Sequence, residues 1–397
     1  MLRLLLFLLP LFLFSLELGI DRFFTDGYAK EIEGKRVGLI TNQTGIDSQL
    51  QPTIKRFQNN LSALFAPEHG LDGKIYAGLE IKGTAQKEIP IFSLHGKTRR
   101  PSKEMLNAVD VLIFDIQDIG IRPYTYATTL FYIMEEAAKH SLPVIVLDRP
   151  NPMGGLLVDG PMLEEKFRSF IGYINIPYCH GMTIGELALF FNTEYKINCK
   201  LTVVPMKGWK RDMAFKHTGL AWIPTSPNIP ESDSPYFCAT TGLLGELDLV
   251  NIGIGYTLPF KIVGAPWINA EQFSKALNDQ NISGVSFTPI HYKPFYGSLK
   301  GVECHGIQIH ITNPSLYRPL TTQAFILGIL KTLYPHEVTS KTKTLSSSKQ
   351  TFFNNAFGST FAYTLLLNEK FITWKLLEHY QTEREAFLKK REKYLIY

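Results

Sequence analysis

The chain lacks the signatures of several common chemistries. It has 4 cysteines in 397 residues, Cys179, Cys199, Cys238 and Cys304, and none stand in C-x-x-C spacing. That excludes the usual structural zinc site. An oxidised pair and buried free thiols are equal readings of these four. There is no G-x-S-x-G elbow, so Ser93 and Ser226 have no nucleophile pattern around them. Gly253-Ile-Gly255 lacks the third glycine and the strand–helix context of a phosphate loop. The net charge is only +5 and no basic block dominates, which argues against nucleic acid as a partner. There are no internal repeats, no metal-ligand spacing and no motif that calls for a cofactor. Beyond the N-terminus, no run is long and apolar enough to span a bilayer.

Hydrophobic content is 45% and charged content 19%, an ordinary globular balance with material for two domains or one large one. Aromatic content, 12%, suits sugar grooves but plain cores even more. The N-terminus carries an address. Met-Leu-Arg3 is a short basic region, and Leu4 to Leu16 is nearly unbroken Leu and Phe. The run is too short for a comfortable membrane span and fits a secretory signal over residues 1–18. Ser15-Leu-Glu-Leu-Gly19 lacks a small-x-small cleavage site, so an uncleaved anchor is the alternative. The expected location is periplasmic or extracellular, with membrane contact only if the anchor stays. The mature start is expected between Glu17 and Asp21.

Residues 35–206 alternate short β-branched runs with amphipathic ones. Strands are expected at Arg36–Thr41, Leu61–Ala66, Ile89–Leu94, Val109–Asp115, Pro143–Asp148 and Leu201–Pro205. Helices are expected at Gln51–Asn59, Ser102–Ala108, Tyr126–His140 and Thr183–Tyr195. This alternation implies an α/β fold: a Rossmann-like, doubly wound, mostly parallel sheet over residues 19–206. After about residue 206 glycine, proline and turn residues become frequent. A second, smaller α+β domain is expected over 207–397, with a strand near Gly306–Thr312. Polar Thr339–Gln350 is expected as a mobile surface loop, and Trp374–Tyr397 as a terminal helix.

In open α/β sheets ligands sit beyond the carboxyl ends of the strands. Five successive strand ends here carry polar, Gly- or Pro-punctuated loops: Thr41-Asn-Gln-Thr-Gly45, Ala66-Pro-Glu-His-Gly70, His95-Gly96, Asp115 to Tyr126, and Asp148-Arg-Pro-Asn-Pro152. Glu68, with His69 beside it, is bracketed by Pro67 and Gly70 and is a candidate general acid; capping the next helix is the plainer reading. Asp115 and Asp118 have the makings of an acid–base pair or a metal site, and Asp115 equally of a turn anchor. Arg122, Tyr124 and Tyr126 suit a carboxylated sugar, although Tyr126 also fits a helix core position. Asn42 and Gln43, like Arg149 and Asn151, either hold a ligand or shape a turn. Thr183 and Glu186 form a capping box, which leaves His180 as a ligand candidate.

Together these segments resemble the NamZ-type exo-β-N-acetylmuramidases, exported peptidoglycan hexosaminidases. The matching stretches are Gly38-Leu-Ile-Thr-Asn-Gln-Thr-Gly45, Pro67-Glu-His-Gly70, Asp115 to Tyr126 and Leu147-Asp-Arg-Pro-Asn-Pro152. They continue through His180-Gly-Met-Thr-Ile-Gly-Glu186, Pro227-Asn228, Gly264-Ala-Pro-Trp267 and Arg391 to Tyr397. The resemblance implies a cleft between two domains, release of N-acetylmuramic acid from non-reducing ends of peptidoglycan fragments, and Glu68 as the catalytic glutamate. It adds Asn228 to the substrate-binding candidates. The chain departs from the family in one place. A charged Glu-Gly-Arg-Gly followed by Arg-Pro-Phe-Glu is expected, and Ile252-Gly-Ile-Gly255 and Leu258-Pro-Phe-Lys261 stand there instead.

The expectation is therefore a glycosidase with Glu68 as acid, Asp118 or Asp115 as second carboxylate, and the remaining residues holding the sugar. The rival readings are a non-catalytic cell-wall fragment-binding protein and a metal-dependent esterase or phosphatase.

Overall fold

The computed structural model describes residues 16–74, 85–86 and 89–397. The expected leader falls outside them up to Ser15. Six parallel strands form the larger sheet: β1 Val37–Thr41, β2 Leu61–Ala66, β3 Ile89–Ser93, β4 Val111–Asp115, β5 Pro143–Leu147 and β6 Lys200–Val204. Their spatial order is β3-β2-β1-β4-β5-β6, with the two-residue strand Ala85–Gln86 antiparallel on the β3 edge. This is the Rossmann order, and the direction of winding reverses between β1 and β4.

Burial on both faces explains why the inner strands are continuous apolar runs. Side chains alternate between two cores. Val37, Leu39, Val111 and Ile113 join the cluster around Phe23 and Phe57, while Ile40, Leu112 and Phe114 join the one around Phe131 and Phe191. The second core is covered by the helices Thr125–Lys139 and Ile184–Glu194. The latter starts on the expected capping box: Thr183 Oγ1 accepts from the Glu186 amide, and Glu186 Oε2 accepts from the Thr183 amide.

The second half contains a three-stranded antiparallel sheet of β7 Ile262–Ala265, β8 Val285–Tyr292 and β9 Cys304–Ile311, in the order β7-β9-β8. Its core packs helices Ser234–Glu246, Ala270–Asn278 and Pro319–Leu333 against the sheet. Tyr178, Ile121 and Met153 from the first half belong to the same cluster, so the halves share one apolar interior.

Three expectations are corrected. Thr339–Gln350 is not a loop: helices Pro335–Thr344 and Ser347–Phe357 cover almost all of it. Val338 and Thr342, one turn apart, are both fully buried, and Ser346 caps the second helix by accepting from the Lys349 amide. Gln51–Asn59 contributes only the single turn Thr53–Arg56. The terminal helix runs over Thr373–Arg391, and the last residues leave it to pack on the first half. The four cysteines are unpaired thiols. Among the described residues no helix is long and apolar enough to cross a membrane.

The amino-terminal segment is part of the body. Glu17 pairs with Lys207 through both backbone bonds, and Leu16, Leu18 and Ile20 are buried. Each such side chain contributes about 1.5–3 kcal/mol when buried. A chain shortened to begin at Asp21 should therefore melt several degrees lower than one beginning at Leu16, as measured by thermal denaturation. Equal melting temperatures would refute this.

Candidate active site

The loops at the carboxyl edge of the large sheet converge on a cavity of about 300 Å³ between the halves. That is the lower end of the range for ligand pockets and suits about one sugar ring. From the first half its lining includes Glu68, His69, Tyr124, Thr125 and Tyr178; from the second, Ser226, Asn228, Glu246, Ile252, Ile254 and Phe260.

Glu68 arrives on the turn that leaves β2. Gly70 donates back to the Pro67 carbonyl, and His69 is held at φ +72°, a left-handed conformation rare for a side chain of that kind. Such strain persists where the surroundings over-determine it, commonly at functional sites. Glu68 is only 8% exposed. The Thr125 hydroxyl, on the first residue of the helix Thr125–Lys139, donates to Glu68 Oε2 at 2.7 Å. His95, from the end of β3, brings Nε2 to 3.8 Å from Oε1. Burial lowers the His95 pKa, with the Glu68 charge acting against that.

Several candidates hold the wall rather than the ligand. Gln43 Nε2 donates to the carbonyls of Pro224 and Thr225. The Tyr126 hydroxyl donates to the Thr225 carbonyl, and the Tyr124 hydroxyl to Thr225 Oγ1. These four bonds fix the segment that presents Ser226, Pro227 and Asn228 to the cavity. Asn42 Oδ1 accepts from the Thr44 amide and hydroxyl and so closes its own loop. Asn151 does likewise, accepting from the Met153 amide and donating to the Met182 carbonyl.

The charged candidates after β4 and β5 are structural. Asp115 is fully buried; its two oxygens accept from Arg149 Nε and Nη2 at 2.6 and 2.9 Å, and Thr53 adds a third bond. Neither Asp115 nor Arg149 lines the cavity, so the expectation of a catalytic Asp115 and a sugar-binding Arg149 is corrected. Arg122 is corrected too. It donates to the carbonyls of Pro161 and Ile176 in the first half and Ala356 and Phe357 in the second.

Asp118 does not reach the cavity lining. Its Oδ2 accepts from the Gly120 amide at 2.7 Å, and burial pushes its pKa up to about 7. His180 Nε2 lies 4.0 Å away, and burial lowers its pKa to about 3, so it is neutral. Among the described residues no cluster of three or more His, Cys, Asp and Glu could hold a metal ion.

Sequence reasoning missed Thr125, His95 and Glu246 as site residues. The place of His95 at a strand end was a usable signal; Glu246 gave none, because its position depends on how the halves dock. The departure at Ile252-Gly-Ile-Gly255 falls on the cavity wall, where Ile252 and Ile254 form an apolar face with Phe260.

Two family models match the chain: the N-terminal region of exo-beta-N-acetylmuramidase NamZ over residues 37–233, and its C-terminal region over residues 237–397. The peptidoglycan beta-N-acetylmuramidase NamZ of Bacillus subtilis (strain 168) is 39% identical over 96% of this chain and 92% of its own length. Two crystal structures of DUF1343 family proteins from Bacteroides fragilis share the fold. BF0371 has a TM-score of 0.90 at 38% identity, and BF0379 a TM-score of 0.71 at 26%. Each alignment covers 96% of this chain and 99% of the other.

The Asp115–Arg149 clamp makes a prediction independent of catalysis. Arg149→Ala leaves a buried carboxylate without its cation and should destabilise the fold by about 3–5 kcal/mol. Urea unfolding followed by circular dichroism measures this; a loss under about 1 kcal/mol would contradict the clamp.

Proposed function

The chain belongs to the NamZ exo-β-N-acetylmuramidase family, and from that membership we propose that it is an exo-acting glycosidase releasing N-acetylmuramic acid from non-reducing ends of peptidoglycan fragments. One observation carries the site proposal: Glu68, on a strained turn and held by Thr125, lines a sugar-sized cavity between the halves.

In this reading Glu68 gives a proton to the glycosidic oxygen as the bond to C1 breaks. Thr125 fixes one carboxyl oxygen, and His95 packs at the other. His69, Ser226 and Asn228 offer hydrogen bonds to sugar hydroxyls, and Ile252, Ile254 and Phe260 offer an apolar face for methyl groups. We take residues 19–206 as the Rossmann-like unit and 207–397 as the unit completing the cleft, since the two sheets fall on either side of residue 206. A peptidoglycan substrate supports export beyond the cytoplasmic membrane.

The test compares two substrates. Glu68→Gln should lower kcat on an N-acetylmuramyl disaccharide by about 10²–10⁴-fold with binding retained. The loss on a nitrophenyl glycoside should be much smaller, because that leaving group needs no proton. Equal losses on both, or activity within a few-fold of wild type on the disaccharide, would sink the assignment.

A further inference from the structure

We propose that Glu246 is the second carboxylate of the reaction, the base that takes a proton from the attacking water on the face of the sugar opposite Glu68. This rests on the glycosidase reading and deepens it.

Among the described residues lining the cavity, Glu68 and Glu246 are the two that carry carboxylates. They come from different halves, Glu68 from the turn after β2 and Glu246 from the last residue of the helix Ser234–Glu246. Each half thus contributes one acid to a single cavity that suits about one sugar ring.

The fold gains nothing visible from Glu246. No hydrogen bond or ion pair among the described residues engages its carboxylate. An anion at a helix C-terminus also faces the negative end of the helix dipole, which is unfavourable. The groups around it are mostly neutral or acidic. Tyr178 from the first half and Cys238, two turns earlier on the same helix, both feel its charge. Asp248 opposes its ionisation, while Lys349, from the helix Ser347–Phe357, favours it. Lys349 is itself bonded to Asp248 at 2.6 Å. Burial dominates and raises the Glu246 pKa from 4.5 to about 7. An acid kept half-buried, without a hydrogen-bond partner and lining a cavity is the pattern of a reacting group rather than of a structural one.

The step balances with these two residues and water. The bond from C1 to the glycosidic oxygen breaks with its electron pair, and that oxygen takes the proton of Glu68. The water oxygen bonds to C1, and its proton passes to Glu246. Glu68 ends ionised and Glu246 protonated, and exchange with solvent resets both. Attack from the opposite face inverts the anomeric configuration.

The full-length enzyme tests this. Glu246→Gln should lower kcat by about 10²-fold or more on the disaccharide and the nitrophenyl glycoside alike, which separates it from Glu68→Gln. Azide should restore turnover to Glu246→Ala and yield the inverted glycosyl azide. Wild-type kcat/KM should rise with pH through a midpoint near 7, and that limb should vanish in Glu246→Gln. A raised carboxylate pKa weakens the fold as pH rises from 4.5 through about 7. Glu246→Gln should therefore match or exceed wild-type Tm, most clearly above pH 7. Activity within about fivefold of wild type, a product of retained configuration, failure of azide, or a Tm that falls with kcat would overturn the assignment. Absence of turnover by wild type on every muramyl substrate would instead defeat the glycosidase reading beneath it.

Discussion

A single buried guanidinium sets the relation between the two halves. Arg122 leaves the loop after β4 and spends its terminal nitrogens on four backbone carbonyls, two in each half. Burial lowers its pKa to about 10, so it remains charged at neutral pH. A charge buried this deeply is tolerable only because carbonyl dipoles replace its lost hydration. The cavity lies beside this joint, with Ile121, Pro123 and Ala356 in its lining. Asp159 reinforces the joint: its Oδ2 accepts from the Leu320 and Thr321 amides and so caps a helix of the other half.

With the halves fixed, the polar residues at the sheet edge divide into two groups. Those after β4 and β5 are held by the fold: Asp115 pairs with Arg149, and Asp148 accepts from the Thr183 hydroxyl and the Gly185 amide. Those after β2 and β3, Glu68 and His95, meet each other. The reversal of strand order between β1 and β4 creates this asymmetry. Such a reversal opens a crevice, and the segments after β2 and β4 both supply lining to the cavity.

Local information was legible in the sequence and distant pairing was not. The strand Leu61–Ala66 and the box of Thr183 and Glu186 are written in adjacent residues, and the structure has both as expected. The role of Arg149 is not local. Its partner lies 34 residues earlier, and an arginine next to a proline looks the same whether it faces a sugar or an aspartate. The segment 339–350 misled because its core contacts rest on Val338 and Thr342, while the polar residues between them dominate its composition. Glu246 was invisible because a glutamate ending a helix is unremarkable until the opposite wall is known.

The last residues of the chain bear on its biosynthesis. The Tyr397 hydroxyl donates to Asp148 Oδ2, Glu186 Oε1 accepts from the Ile396 amide, and Arg391 donates to the carbonyls of His180 and Gly181. All of these partners lie in the Rossmann-like half, made some two hundred residues earlier. A nascent chain lacks these contacts until residues 391–397 have been made, so the half synthesised first is completed only with residues from beyond the second sheet.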